Sequence, residues 1–171
     1  MVTCAKNEND YIREWIQHYL DLSFDKIIIC DNNDDESLLE IISDYIESGV
    51  VEVFDCRGFK IFQSHIMSMF CMNGNYKWCG YFDCDEFLEL NNFNNIKEYL
   101  KNKEGECIAF NWIMYDCNGE LQHNVGGVKE RFKQPFYPIF NIFVKLIFFL
   151  HKICKSANFV VPLHPIPTLE G

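Results

Sequence analysis

The sequence predicts an α/β domain built on a mostly parallel sheet flanked by helices. Short β-branched runs alternate with helix-periodic segments through the first half of the chain, the pattern of a parallel sheet covered by helices. The acidic and amide-rich clusters KNEND, DNNDD and DCDE each follow a predicted strand. In such sheets ligands bind beyond the carboxyl ends of the strands. A length of 171 residues suits a single domain with a sizeable core.

The elements follow in order. Residues 1–5 read as a short strand. Over residues 10–22 the side chains of Tyr11, Ile12, Trp15, Ile16, Tyr19 and Leu20 share one helical face. Residues 26–30 (KIIIC) form an apolar strand that ends at the turn-rich DNNDDES. Residues 37–48 are expected to be one helix, with Leu38, Leu39, Ile42, Tyr45 and Ile46 inward and Gly49 as its stop. A third strand covers 50–54, a helix 61–73, and a fourth strand 78–82 that runs into DCDEF. Farther on, 96–102 reads as a short helix and 107–114 (CIAFNWIM) as a buried strand, with a turn-rich segment over 116–127.

Charge narrows the function. A net charge of −10 argues against a nucleic-acid partner, which needs Lys and Arg on one face. It also means that a phosphate-bearing ligand would call for a divalent cation. The nine Cys occur singly, with no CxxC pair and no zinc spacing. Several sit in apolar runs, as Cys30 and Cys107 do, and read as buried structural residues of a reducing compartment. MVTCAKNEND carries no signal-peptide pattern, so the cytoplasm is the expected location. The apolar stretch 135–154 is interrupted by Asn141, Lys145 and His151 and falls short of the roughly 20 residues of a membrane span. It reads first as a buried strand or helix, and second as a peripheral contact with the inner face of the plasma membrane.

The chemistry concentrates in YFDCDEF. Asp83 and Asp85, one residue apart at a strand end, are expected to project to one side. One carboxylate would then bind Mg²⁺ or Mn²⁺ directly while the other holds a water of that cation or a ribose hydroxyl. Glu86 would point the other way and brace a backbone group or a basic partner. Phe87 reads as core.

KNENDYIREWIQHYLDLSFDKIIICDNND, a third strand, a helix carrying Gln63, and KWCGYFDCDEFLEL together resemble bacterial glycosyltransferases of the GT-A fold with a DxD motif, related to glycosyltransferase family 2 and family 92. Weaker echoes are Asn111-Trp112, Glu130-Arg131-Phe132 and His164-Pro165. The resemblance implies one GT-A-like domain, with residues 1–90 as the nucleotide-sugar half and 91–171 as the acceptor half. It places Thr3, Lys6, Asn7 and Glu8 around the nucleotide, with Gln63 and Asp83 also on the donor. Asp31 would accept a hydrogen bond from the base. A carboxylate only accepts, which suits the imide N–H of uracil; the alternative role for Asp31 is an Asx turn. His164 would complete the metal or diphosphate site.

The implied reaction is transfer of a hexose from a nucleotide-diphosphate sugar, UDP-sugar favoured, to a surface glycan or glycolipid in lipopolysaccharide or capsule synthesis. Inverting transfer needs a carboxylate base, and Glu130 and Asp116, both downstream of the metal motif, are the candidates. Two alternatives stand beside this one. The chain begins almost inside its first strand and stops a few residues past His164, which fits a truncated or non-catalytic nucleotide-binding relative. A nucleotidyltransferase is disfavoured by the absence of a Gly-rich basic loop near the N-terminus.

Overall fold

The computed structural model describes residues 1–60, 65–66, 69, 76–101, 103–105, 107–115, 126–135 and 144–149. The observed element order is β1 (Val2–Ala5), α1 (Ile12–Asp21), β2 (Ile27–Asp31), α2 (Ser37–Ile41), α3 (Ser43–Glu47), β3 (Val51–Asp55) and β4 (Trp78–Gly80). It continues with α4 (Ile96–Lys101), β5 (Cys107–Asn111), α5 (Val128–Arg131) and β6 (Val144–Phe149).

β2 is the central strand of a parallel three-stranded sheet, pairing with β1 in the register Val2↔Ile28 and with β3 in the register Ile27↔Val51. All five of its residues are buried, as a strand covered on both faces requires. Alternation sends Ile27 and Ile29 into one apolar cluster and Ile28 and Cys30 into another. The first cluster receives Ile12, Trp15, Ile16 and Tyr19, the inward face of α1. Fully burying each of these large apolar side chains contributes about 1.5–3 kcal/mol.

The second sheet has the order β4-β6-β5, with both pairings antiparallel. A parallel bridge, Val2↔Tyr81, and a 3.4 Å bond from the Phe82 amide to the Val2 carbonyl set the end of β4 beside β1. The carboxyl ends of β1, β2 and β4 therefore lie along one edge. This α/β arrangement, parallel around β1 to β3, is consistent with the GT-A-like expectation.

Three expectations change. Residues 37–48 form two five-residue helices rather than one, because the chain breaks at Ile42 (φ −115°, ψ 20°). Ile42 is fully buried, and the Ile41 carbonyl released at the break is taken by Arg13 Nη1 at 2.7 Å. Second, β5 stops at Asn111 and is not a buried strand: Cys107, Ala109 and Asn111 are exposed, as are Ile113 and Met114 beyond it. β5 ends the order of its sheet, so only part of its surface is covered. Third, Cys107 is exposed, whereas Cys30 is buried as expected. The helix expected over 61–73 lies mostly outside the described residues, as do most of 116–127 and much of 135–154. Among the described residues no helix is long and apolar enough to cross a membrane.

Candidate functional site

The loop after β1 begins with two exposed residues, Lys6 and Asn7. Asn7 sits at φ 60°, a left-handed conformation that asparagine tolerates better than most residues. Its amide donates to Asn33 Oδ1 at 2.7 Å. Asn33 in turn donates to Asp31 Oδ1 through its backbone N–H at 3.0 Å and its side-chain amide at 2.8 Å. Asp31 thus forms an Asx turn, and the relay Asn7–Asn33–Asp31 ties the loop after β1 to the loop after β2. Both Asp31 and Asn33 are buried.

Between the two loops lies a cleft of about 260 Å³ lined by Asn7, Asn9, Asp10, Asn33, Asp34 and Asp35. Its walls are amides and carboxylates, suited to hydroxyl and N–H donors. Lys6 reaches toward the rim, 3.9 Å from Asp34, with both side chains largely exposed. Of the residues expected around the nucleotide, Asn7 lines this cleft. Thr3 does not: it is fully buried, with its hydroxyl 3.3 Å from Cys84 Sγ. Its expected place on the wall gives way to a supporting one, holding the turn after β4 against β1. Gln63 lies outside the described residues.

That turn carries Asp83 and Asp85. The Glu86 amide bonds back to the Asp83 carbonyl at 3.0 Å, so residues 83–86 make a turn rather than a continued strand. Burial still alternates across it: Cys84, Glu86 and Leu88 are inside, Asp83 is half-exposed and Asp85 exposed. Glu86 braces the backbone and a basic partner, as its position suggested: Oε2 accepts the Asp83 amide at 2.9 Å and lies 2.9 Å from Lys145 Nζ. Phe87 is half-buried and packs edge-on against His18, with ring centroids 5.2 Å apart.

The field at this edge is negative. Burial, then the charges of Asp85 and Asp83, raise the Glu8 carboxyl above its ordinary value. Burial, then Asp83, raises the Tyr81 hydroxyl. Burial also pushes the Cys84 thiol up to about 12. A cation placed between Asp83 and Asp85 would relieve this repulsion, and two carboxylates plus ligand phosphates are a common donor set for Mg²⁺. Among the described residues, however, no three His, Cys, Asp or Glu side chains converge to hold a metal ion by themselves. His164, the expected third ligand, lies outside the described residues.

Sequence reasoning missed Lys145. Its Nζ donates to Asp83 Oδ2 at 2.8 Å. The residue stood in plain view as a lone charge in NIFVKLIFF, where it registered as an interruption of an apolar run. Burial pulls its ammonium down, but the bonds to Asp83 and Glu86 outweigh that and hold it above the usual lysine value. Burial keeps the Glu86 carboxyl above its own ordinary value despite those bonds.

Of the two candidate bases, Asp116 is outside the described residues. Glu130 is exposed on α5. Glu14 docks that short helix on α1, accepting the Val128 and Lys129 amides at 2.6 and 3.2 Å. Gly127 makes the approach possible, since a Cβ there would meet the Glu14 carboxylate at 2.7 Å. Arg131 adds a 2.8 Å bond to the Tyr11 hydroxyl. α5 is thereby anchored to the start of α1, next to the loop that lines the cleft.

No match to the chain is found among curated proteins. Among solved structures the chain is similar to the glycosyltransferase GlyE of Streptococcus pneumoniae TIGR4, with 17% identity and a TM-score of 0.41, over 91% of this chain. It spans 35% of the length of that structure. The family profile of glycosyltransferase family 92 matches residues 2–141, most of the sequence. The chain belongs to glycosyltransferase family 92.

Proposed function

We propose that this chain carries the donor site of a metal-dependent glycosyltransferase that takes a UDP-sugar and passes its hexose to a surface glycan or glycolipid on the cytoplasmic side. The observation that carries the reading is the Asp83–Glu86 turn, held at the end of β4 beside β1 and facing Glu8, in a member of glycosyltransferase family 92. A divalent cation held by Asp85 and Asp83 would neutralise the diphosphate as it departs. The chain's own residues do the rest. The cleft between the first two loops takes the base and ribose, its carboxylates and amides accepting their N–H and O–H groups. Asp31, buried and already shaping that loop, is the acceptor proposed for the uracil imide. In inverting transfer the acceptor hydroxyl attacks the anomeric carbon, the diphosphate leaves with the bonding pair, and a carboxylate, Glu130 or Asp116, takes the proton.

Calorimetric titration with UDP, GDP and CDP, each with and without Mn²⁺, tests the reading. Binding of UDP that requires Mn²⁺ and exceeds that of the other two supports it. Equal or absent binding of all three rejects it.

A further inference from the structure

At the turn after β4, one cation serves two carboxylates. Lys145 Nζ lies 2.8 Å from Asp83 Oδ2 and 2.9 Å from Glu86 Oε2, and 19% of its side chain is exposed. The Glu86 oxygen that meets the ammonium also accepts the Asp83 amide at 2.9 Å. The side chain and the main chain of Asp83 are therefore both gripped by one ammonium–carboxylate pair. Two aromatic rings, Tyr81 and Trp112, each with its centroid 5.7 Å from Nζ, flank the ammonium. Ring faces attract a cation and confine its swing.

Stability does not explain this arrangement. Withdrawing a lysine and a glutamate from water costs several kcal/mol per ion, and apolar residues of similar size commonly do as well or better. Among the described residues Glu86 Oε1 is moreover buried without a hydrogen-bond partner, a further cost. What the pair supplies is geometry. Lys145 stands in the middle strand of β4-β6-β5, where its register is fixed opposite Phe110, and it reaches across to the one turn that bears the exposed Asp85. It also answers the charge of Asp83, whereas among the described residues no ion pair meets Asp85.

We propose that Lys145 is a positioning residue: acting through Asp83 and Glu86, it fixes the 83–86 turn so that Asp85 meets the cation-bound diphosphate at the rim. The assignment rests on the donor-site reading above, and its test separates the two. Amide hydrogen exchange at Asp83 and Mn²⁺-dependent UDP affinity are measured in the parent, Lys145→Met and Lys145→Arg proteins. In Lys145→Met the Asp83 amide should exchange about tenfold faster or more while the Ile28 and Ile29 amides keep their protection. UDP affinity should fall about tenfold, and Lys145→Arg should recover both to within about threefold, since guanidinium can span the same two carboxylates.

Unchanged Asp83 exchange in Lys145→Met overturns the proposal whatever the nucleotide does. Faster exchange throughout the core without recovery by arginine also overturns it, because the residue would then serve packing alone. If the parent binds no nucleotide, the donor-site reading fails by itself, and the Asp83 amide still decides for or against Lys145. Should Lys145→Met not fold, Glu86→Gln takes its place, and unchanged Asp83 exchange in that variant overturns the proposal equally.

Discussion

Replacing Asp85 and Asp83 one at a time by Asn should give two proteins with the same binding defect and different stabilities. Asp85 is exposed on the turn and lies in a field shared with Asp83 and Glu8. Removing its charge relieves repulsion and breaks no packing, so the stability change should stay within about 0.5 kcal/mol. For a chain of 171 residues that is about 2 °C in Tm or less. Asp83 is different, because its Oδ2 holds Lys145 at 2.8 Å. A hydrogen bond to a charged group contributes about 1.5–3 kcal/mol. With 37% and 19% of the two side chains exposed, solvent screening brings this toward about 1 kcal/mol, or about 2–4 °C.

The binding defect scales differently. A carboxylate and a unit positive charge about 4 Å apart attract by about 4 kcal/mol at an effective dielectric constant of about 20. Desolvation returns part of this, so either substitution should weaken Mn²⁺-dependent UDP binding by about 3 kcal/mol, or roughly 100-fold. Thermal unfolding and calorimetry on the same preparations read both quantities. A folded Asp85→Asn protein with Mn²⁺-dependent affinity within about threefold of the parent would refute the metal assignment. An unchanged Tm in Asp83→Asn would show that the Lys145 bond adds nothing to stability.

Other consequences are open to direct measurement. Asp31→Ala should cost about 1–3 kcal/mol of UDP binding, and an equal loss for GDP and CDP would show that Asp31 acts only by holding Asn33. Arg57 donates to Asp55 from Nη2 at 2.5 Å and holds its carboxyl at about 2, against an ordinary 3.8. A depressed value stabilises the fold above the ordinary pKa, and that stability is lost as pH falls from about 4 to about 2. After screening, the loss should be about 1 kcal/mol, and urea midpoints across this range should flatten in Arg57→Gln. If Glu130 is the base, Glu130→Gln should keep UDP-sugar binding and lower transfer about 100-fold or more. Full transfer in that variant removes Glu130 from the mechanism and leaves Asp116→Asn as the substitution to make.

Local periodicity was a good guide where burial follows it. The inward face of α1 held at Ile12, Trp15, Ile16 and Tyr19, because one side of that helix meets the sheet throughout. β2 likewise lies within one residue of its expected place, since the apolar run Ile27 to Cys30 has no solvent face to offer. Periodicity misled where tertiary partners set the outcome. The α2–α3 break leaves a carbonyl that Arg13 fills, a contact spanning 28 positions that no window of the sequence contains. CIAFN looked interior by composition, yet β5 ends its sheet and leaves Cys107 and Ala109 exposed. The same reasoning separates the two halves of the site. That Asp83 and Asp85 share one turn was legible because they stand two positions apart at the end of an apolar strand.

The role of Lys145 was not legible, because 62 positions separate it from Asp83 and only the antiparallel pairing of β6 with β4 closes that gap. On the donor-site reading proposed above, this bears on how an acidic chain would handle a diphosphate. A net charge of −10 made a divalent cation the natural mediator, but a bare cluster of Glu8, Asp83 and Asp85 would also repel itself and splay. The Lys145 ammonium partly offsets the charge of Asp83 and ties down the turn that carries Asp83 and Asp85. What remains is the exposed Asp85 beside the half-exposed Asp83, in a negative field and on a braced turn. Such preorganisation lets a metal bind without the chain first having to assemble its ligands. The 83–86 turn should therefore keep its structure when Asp85 is lost and loosen when Lys145 is lost.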